Sequence, residues 1–196
     1  QNLTEERLFE AIARPIPDGV LYRLPPVTDA SESTEPGVVL EGLNFANGFY
    51  LDESNNRFYL SETLGHRVLA FDLDIVEGTI ANQITLSAIP SPDNMQLNHD
   101  GRLWVASPLS NQIFSIDVET GESFVVFDAQ TDSGANAVLE GLRRSELGEG
   151  VVDLLVPETI GDMPGLLTGM IIGDSPESFY VANLGEALIK VSVKQP

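Results

Sequence analysis

Short runs of alternating apolar and polar residues, separated by turn-forming clusters, recur along the chain, and a period of two predicts strands. The runs 20–24 and 38–40 come first, on either side of a polar loop over 29–36. Strands are then expected at 44–51, 57–61, 66–73 and 84–86, with turns over 52–56 and 62–65. The same order returns at 94–97, 103–106, 113–117 and 123–127, and again at 167–172, 178–182 and 187–191. Gly48 and Tyr59 are 11 residues apart, as are Gly169 and Tyr180, while Tyr59 and Trp104 are 45 apart. Four short strands repeating every ~40–50 residues form the pattern of a β-propeller blade. A meander of hairpins in a sandwich would supply similar strands without this fixed register. The expected fold is all-β, a propeller with about three and a half blades. Its blade parts fall near 19–43, 44–90, 91–131 and 165–193.

Two segments break the strand pattern. Leu8 and Ile12, four apart after a potential cap at Thr4, predict a short helix that Pro15 ends. Residues 132–164 delay the third copy and carry Val138, Leu139, Leu142, Leu147, Val151, Val152, Leu154 and Leu155 at helical spacing, interrupted at 148–150. The insertion joins the outer strand of one blade to the inner strand of the next. That connection places it on the face where inner strands begin, either as a lid over a central pocket or as a plain surface insertion.

Composition narrows the function classes. With 196 residues and 42% apolar content the chain can bury a sizeable core, and no apolar run is long enough for a membrane-spanning helix. Asp and Glu total 30 against 10 Lys and Arg, a net charge of −20, which argues against nucleic acid and anionic membranes as partners. Absence of cysteine removes thiol catalysis, thiolate metal sites and disulfides. The compartment stays open, with a secreted or periplasmic location favoured. The chain starts at Gln1, and a closed ring needs at least about four blades. The expectation is therefore that missing blades lie in another segment or in a second chain.

Candidate chemistry gathers at the strand mouths. Asn47, in Phe45-Ala46-Asn47-Gly48, and the pair Asp93-Asn94, in Pro92-Asp93-Asn94-Met95, occupy matching positions in successive repeats. Each pair taken alone reads as a turn. Their common register instead puts Asn47, Asp93 and Thr168 at one end of a propeller channel. Glu62, His66, Ser107, Ser110, Asn111, Asn183 and Glu186 would surround them. Carboxamide oxygens beside a carboxylate suit a hard cation such as Ca²⁺. Without cysteine and with two histidines, zinc is a poor fit. Glu62 is either a neighbour of the metal ligands or an ion-pair partner of Arg67. His66 is a pocket residue with a catalytic role as one reading and packing at a strand start as the other. His99 belongs to a solvated turn on the opposite face. Tyr59, Trp104 and Tyr180 are expected in the core between blades.

The stretches around Asn47 and Asp93, with the runs 59–73 and 100–106, resemble the six-bladed calcium propellers: gluconolactonases, senescence marker protein, paraoxonases and strictosidine synthase-like proteins. The resemblance covers most of 19–193 and implies that Asn47 and Asp93 bind a catalytic calcium, with Asn94 contributing as in the paraoxonase-like members. It implies calcium-dependent hydrolysis of a lactone or an activated aryl ester. The family's further ligands, a Glu of the first blade and an earlier Asn, have no counterpart in these residues, nor does the histidine dyad of paraoxonases. Strictosidine synthases share the fold without the calcium chemistry. A metal-stabilised binding module and a condensing enzyme therefore stand beside the hydrolase.

Overall fold

In the computed structural model, which describes residues 9–10, 13–24, 35–175 and 178–192, thirteen strands form four antiparallel sheets. The first sheet pairs β1 (Pro17–Arg23) with β2 (Gly37–Asn44). The second runs in chain order through β3 (Ala46–Asp52), β4 (Arg57–Glu62), β5 (Arg67–Asp74) and β6 (Thr79–Ala88). The third comprises β7 (Met95–Leu97), β8 (Leu103–Ser107), β9 (Gln112–Ile116) and β10 (Ser123–Asp128). The fourth holds β11 (Leu167–Ile172), β12 (Ser178–Asn183) and β13 (Ile189–Ser192). The expected helix at Thr4, Leu8 and Ile12 falls on residues outside those described.

The sheets stack face to face because their middle strands are apolar on both sides. In β4, Phe58 and Leu60 join Leu43, Leu69 and Phe71 in a core against the β1–β2 sheet. Tyr59, between them, points the other way and packs with Val68, Met95, Leu103 and Val105 against the β7–β10 sheet. The alternation repeats in β8, where Trp104 and Ala106 turn instead toward Leu167, Met170 and Phe179. Trp104 meets Phe179 edge-on at 5.1 Å between ring centroids. Each such buried side chain contributes about 1.5–3 kcal/mol relative to exposure. Tyr59 and Trp104 are thus core residues between blades; Tyr180 is only half-buried.

The segment after β10 contains α1 (Asp132–Glu146), a single 3-10 turn over Val152–Leu154 and α2 (Pro157–Ile160). Thr131 caps α1 by accepting the Gly134 N–H at 2.9 Å. Gly141 lets α1 approach the blade, since a Cβ there would lie 2.6 Å from Leu109 Cδ2. The loop over 108–111 is therefore the seat of the insertion. Asn111 fastens it, donating from Nδ2 to the carbonyls of Ala129 and Ile160, both at 3.0 Å.

Candidate metal and substrate site

Close approach of backbones brings the strand mouths together. A Cβ on Gly48 would lie 2.5 Å from the Asp93 carbonyl oxygen and 2.6 Å from Asn94 Cα, so only glycine permits the contact. Gly169 sits against Asn94 from the other side, where a Cβ would be 3.2 Å from Asn94 Cβ. Thr63 locks the arrangement: its N–H donates to the Phe45 carbonyl at 3.0 Å and its hydroxyl to the Pro92 carbonyl at 2.7 Å. The chain turns through left-handed backbone two residues before each oxygen-bearing side chain, at Phe45 (φ 57°) and at Ser91 (φ 47°). Such angles are uncommon for non-glycine residues and mark positions held by their surroundings.

Asn47, Asp93, Asn94 and Thr168 line one cavity of about 450 Å³. Asp93 is 7% exposed. Burial pushes its carboxyl up from the usual carboxylate range to about 6, offset in part by the Asn94 N–H. Among the described residues no Lys, Arg or His pairs with it. Asn94 donates from Nδ2 to the Thr168 carbonyl at 2.9 Å, which leaves its Oδ1 as the uncommitted atom. A buried anion without a protein cation, beside carboxamide oxygens, fits a hard cation of the Ca²⁺ type. No cluster of three or more His, Cys, Asp or Glu side chains occurs among the described residues, so the donor set is mainly neutral oxygen.

Glu62, Ser107, Asn111 and Asn183 lie outside the cavity lining; the scaffold engages Glu62 and Ser107 through their oxygens and Asn111 and Asn183 through Nδ2, with Oδ1 of both amides buried and without a hydrogen-bond partner. Glu62 is fully buried and accepts from the Asn44 N–H at 2.7 Å, Asn44 Nδ2 at 3.1 Å and Arg67 Nε at 2.6 Å. The Ser107 hydroxyl donates to the Pro90 carbonyl and accepts from Ser110 Oγ at 2.6 Å. Asn111 ties down the insertion, and Asn183 Nδ2 donates to the Ala187 carbonyl at 2.6 Å.

His66 borders a separate cavity with Gly65, Leu142 and Ser145. Its Nδ1 accepts the Ser91 N–H at 2.9 Å, so Nε2 carries the proton and donates to Ser145 Oγ at 2.7 Å. Burial lowers its pKa to about 4. With both ring nitrogens engaged, the neutral imidazole fastens α1 to the mouth of the Asp93 blade. His99 is exposed, as anticipated, but also reaches the Gly173 carbonyl at 2.9 Å.

The sequence reading missed the cavity's apolar wall, which includes Val151, Val152 and Leu155 from the insertion and Leu166 and Leu184 from the fourth sheet. The helical spacing of the insertion carried a signal for the first group. Leu184, in a polar turn, carried none. Of the insertion, Val151, Val152 and Leu155 contribute to the cavity lining, and the helix Asp132–Glu146 does not.

Stacked sheets whose inner strands converge on oxygen-bearing mouths define a β-propeller of the six-bladed type, represented by about three and a half blades. A family model described as SMP-30/Gluconolactonase/LRE-like region matches residues 8–147, and the chain belongs to that family. Regucalcin of Oryctolagus cuniculus is 27% identical over 109 residues, covering 54% of this chain and 36% of the regucalcin. Regucalcin of Danio rerio is 30% identical over 111 residues, covering 54% and 35%. The matched region thus spans about a third of these relatives. Among solved structures, a luciferin-regenerating enzyme aligns with a TM-score of 0.58 at 18% identity, covering 86% of this chain and 45% of that one. A gluconolactonase from Xanthomonas campestris aligns at 0.57 and 16% identity, covering 88% and 44%.

Proposed function

We propose that this chain forms part of the site of a calcium-dependent hydrolase acting on lactones or activated aryl esters. The observation that carries the reading is Asp93: a buried carboxylate without a protein cation, next to Asn47 and Asn94 in a cavity large enough for a small substrate. Membership of the SMP-30/gluconolactonase/LRE-like family supports the reaction class, and the Xanthomonas structural neighbour is itself a gluconolactonase.

Asp93 would supply the charge that holds Ca²⁺, with Asn47 and Asn94 supplying neutral oxygens. Asn94 is oriented for this by its Nδ2 bond to Thr168. Bound Ca²⁺ would polarise the substrate carbonyl and stabilise an oxyanion. Val151, Val152 and Leu155 give the cavity an apolar side where the insertion meets it. Calcium takes six to eight oxygens, so the reading includes further ligands from another segment or a second chain.

Calcium titration followed by native mass spectrometry, together with chelator-sensitive hydrolysis of phenyl acetate or a simple lactone, tests the proposal. Calcium binding and hydrolysis should both be lost in Asn47→Ala and in Asp93→Ala. Unchanged activity in both variants would overturn it. A calcium-stabilised propeller without hydrolysis is the second reading, favoured by Asp93 being, among the described residues, the sole titratable side chain of the cavity lining. Calcium binding without turnover would select it.

A further inference from the structure

The two ends of α1 are fastened by different chemistry. At its start, the Thr131 hydroxyl donates to the Glu158 carbonyl at 2.8 Å, and Asn111 Nδ2 donates to the carbonyls of Ala129 and Ile160. Hydroxyl, amide and carbonyl groups keep their protonation state at every pH near neutral. Ser145 stands at the other end, about 20 Å away at ~1.5 Å per residue. There the fastening is a histidine. His66 holds three segments at once: its carbonyl accepts the Ile89 N–H at 3.1 Å, its Nδ1 accepts the Ser91 N–H at 2.9 Å and its Nε2–H donates to Ser145 Oγ at 2.7 Å. A backbone N–H can only donate, so the arrangement requires a bare Nδ1. A proton on Nδ1 sets two N–H groups against each other. The ring then has to turn from Ser91, and turning carries Nε2 off Ser145.

The charges around the ring come from every neighbouring element. On its own loop, Glu62 lies behind Gly65 and is paired with Arg67. From α1, Glu146 lines the same cavity of about 300 Å³, while Arg143 and Arg144 are engaged by Glu140, Glu149 and Asp153. On the linker, Asp93 follows Ser91 by two residues and faces the other cavity. Before Pro15, which also lines the His66 cavity, Arg14 pairs with Glu10. The lowered pKa of about 4 has burial as its cause, and opening the cavity removes that cause.

We propose that His66 is a proton-operated latch: protonation of its ring frees the Ser145 end of α1 from the blade, while the Thr131 end stays fastened. Arg144 carries the release onward, since its Nη1 donates to the Gly150 carbonyl at 3.1 Å and pairs with Asp153 at 2.7 Å. The segment it grips supplies Val151, Val152 and Leu155 to the central cavity. Neutral pH closes the insertion and acid opens it, whatever reaction the site performs. The sign follows from the ring: the open state binds a proton near the ordinary 6.5 and the closed state only near 4, so the latch is full above 6.5 and weakens as pH falls toward 4.

Hydrogen exchange of the full chain in chelator, read by mass spectrometry and corrected for the intrinsic pH dependence of amide exchange, tests it. The opening constant of peptides from the second half of α1 should rise about 30-fold between about pH 7.5 and 5. Peptides from β4 and β8 should stay protected throughout. His66→Asn should raise opening at neutral pH and abolish its pH dependence. Asp93→Asn, which removes the other carboxyl titrating in this range, should keep the dependence. A wild-type opening that ignores pH, a dependence that survives His66→Asn or vanishes in Asp93→Asn, or loss of protection in α1 and the blades together would overturn the proposal. Nitrogen NMR of the imidazoles checks the latch in the wild type itself. At neutral pH His66 should show a protonated Nε2 and a bare Nδ1, with the exposed His99 as the internal reference. The opposite tautomer, or a His66 that titrates with His99, would also overturn it.

Discussion

Glu62 and Asp93 are both buried carboxylates at the mouth end of a blade, and the molecule treats them in opposite ways. Glu62 accepts three hydrogen bonds, two from Asn44 and one from Arg67, and Gly65 leaves room for it. It closes the second sheet onto the end of β2. Asp93 lies one blade further on with its backbone firmly held, the N–H donating to the Ala106 carbonyl at 2.8 Å, yet among the described residues its carboxylate has no protein cation. One carboxylate is consumed by the scaffold and the other is left available. Burial alone therefore does not mark a functional group here; a buried carboxylate without a cation among the described residues does.

The comparison breaks most visibly through stability. Glu62→Ala should cost about 3 kcal/mol, because it leaves the Asn44 N–H and the Arg67 guanidinium without their acceptor. Arg67 is 39% exposed and recovers part of its loss in water, which keeps the cost below that of a fully buried pair. Urea unfolding in the presence of a chelator measures it, and a change near zero would place Glu62 among the available groups instead.

Asp93→Asn makes a similar loss of charge with the opposite sign. In calcium-free protein at neutral pH the substitution removes an unpaired buried charge and should raise stability by about 2 kcal/mol. The pH dependence follows from the direction of the shift. Because the folded pKa is raised to about 6, the Asp93 penalty is full above that value. It fades as pH falls toward the ordinary 3.8, so this group makes the fold more stable on acidification. His66, lowered to about 4, acts against it: its contribution is present above 6.5 and lost as pH falls toward 4. In the chelated wild type the two slopes oppose each other between about pH 4 and 6. Asp93→Asn should expose the downward slope of His66. Added calcium should reverse the stability order of wild type and variant. Identical pH profiles for the two proteins would remove the charge argument.

How far this contrast was legible in the sequence depends on what fixes each residue. The blades were legible, because alternation and the Gly48–Tyr59 and Gly169–Tyr180 spacings are local properties that the sheets preserve. Asn47, Asp93 and Thr168 were legible through register and do share one cavity. The fates of Ser107, Asn111 and Asn183 were not. Ser107 has a ligand's oxygen chemistry, yet its hydroxyl goes to Pro90; Asn111 and Asn183 commit their Nδ2 groups to Ala129, Ile160 and Ala187, while their Oδ1 atoms stay buried without a hydrogen-bond partner, outside the cavity lining. The left-handed turns at Phe45 and Ser91 also escape sequence reading, since neither residue type favours φ > 0.

The smallest effect concerns His66, where the comparison is finest because the residue sits between scaffold and site. Its ring takes the Ser91 N–H and donates to Ser145 Oγ, so it spans from the strand mouth before Asp93 to helix α1. His66→Asn suits the left-handed backbone there (φ 50°) and should cost about 1 kcal/mol, as should Ser145→Ala. Because the two side chains share one hydrogen bond, the double variant should cost less than the sum of the two. Loosening α1 from the blade mouth should raise KM more than it lowers kcat, since the segment that follows α1 contributes Val151, Val152 and Leu155 to the cavity lining. A catalytic base would behave otherwise. Its loss should lower kcat by about 10²-fold or more, an effect that Ser145→Ala would not reproduce. Paired kinetics of the two single variants decide between a residue that positions α1 and one that moves a proton.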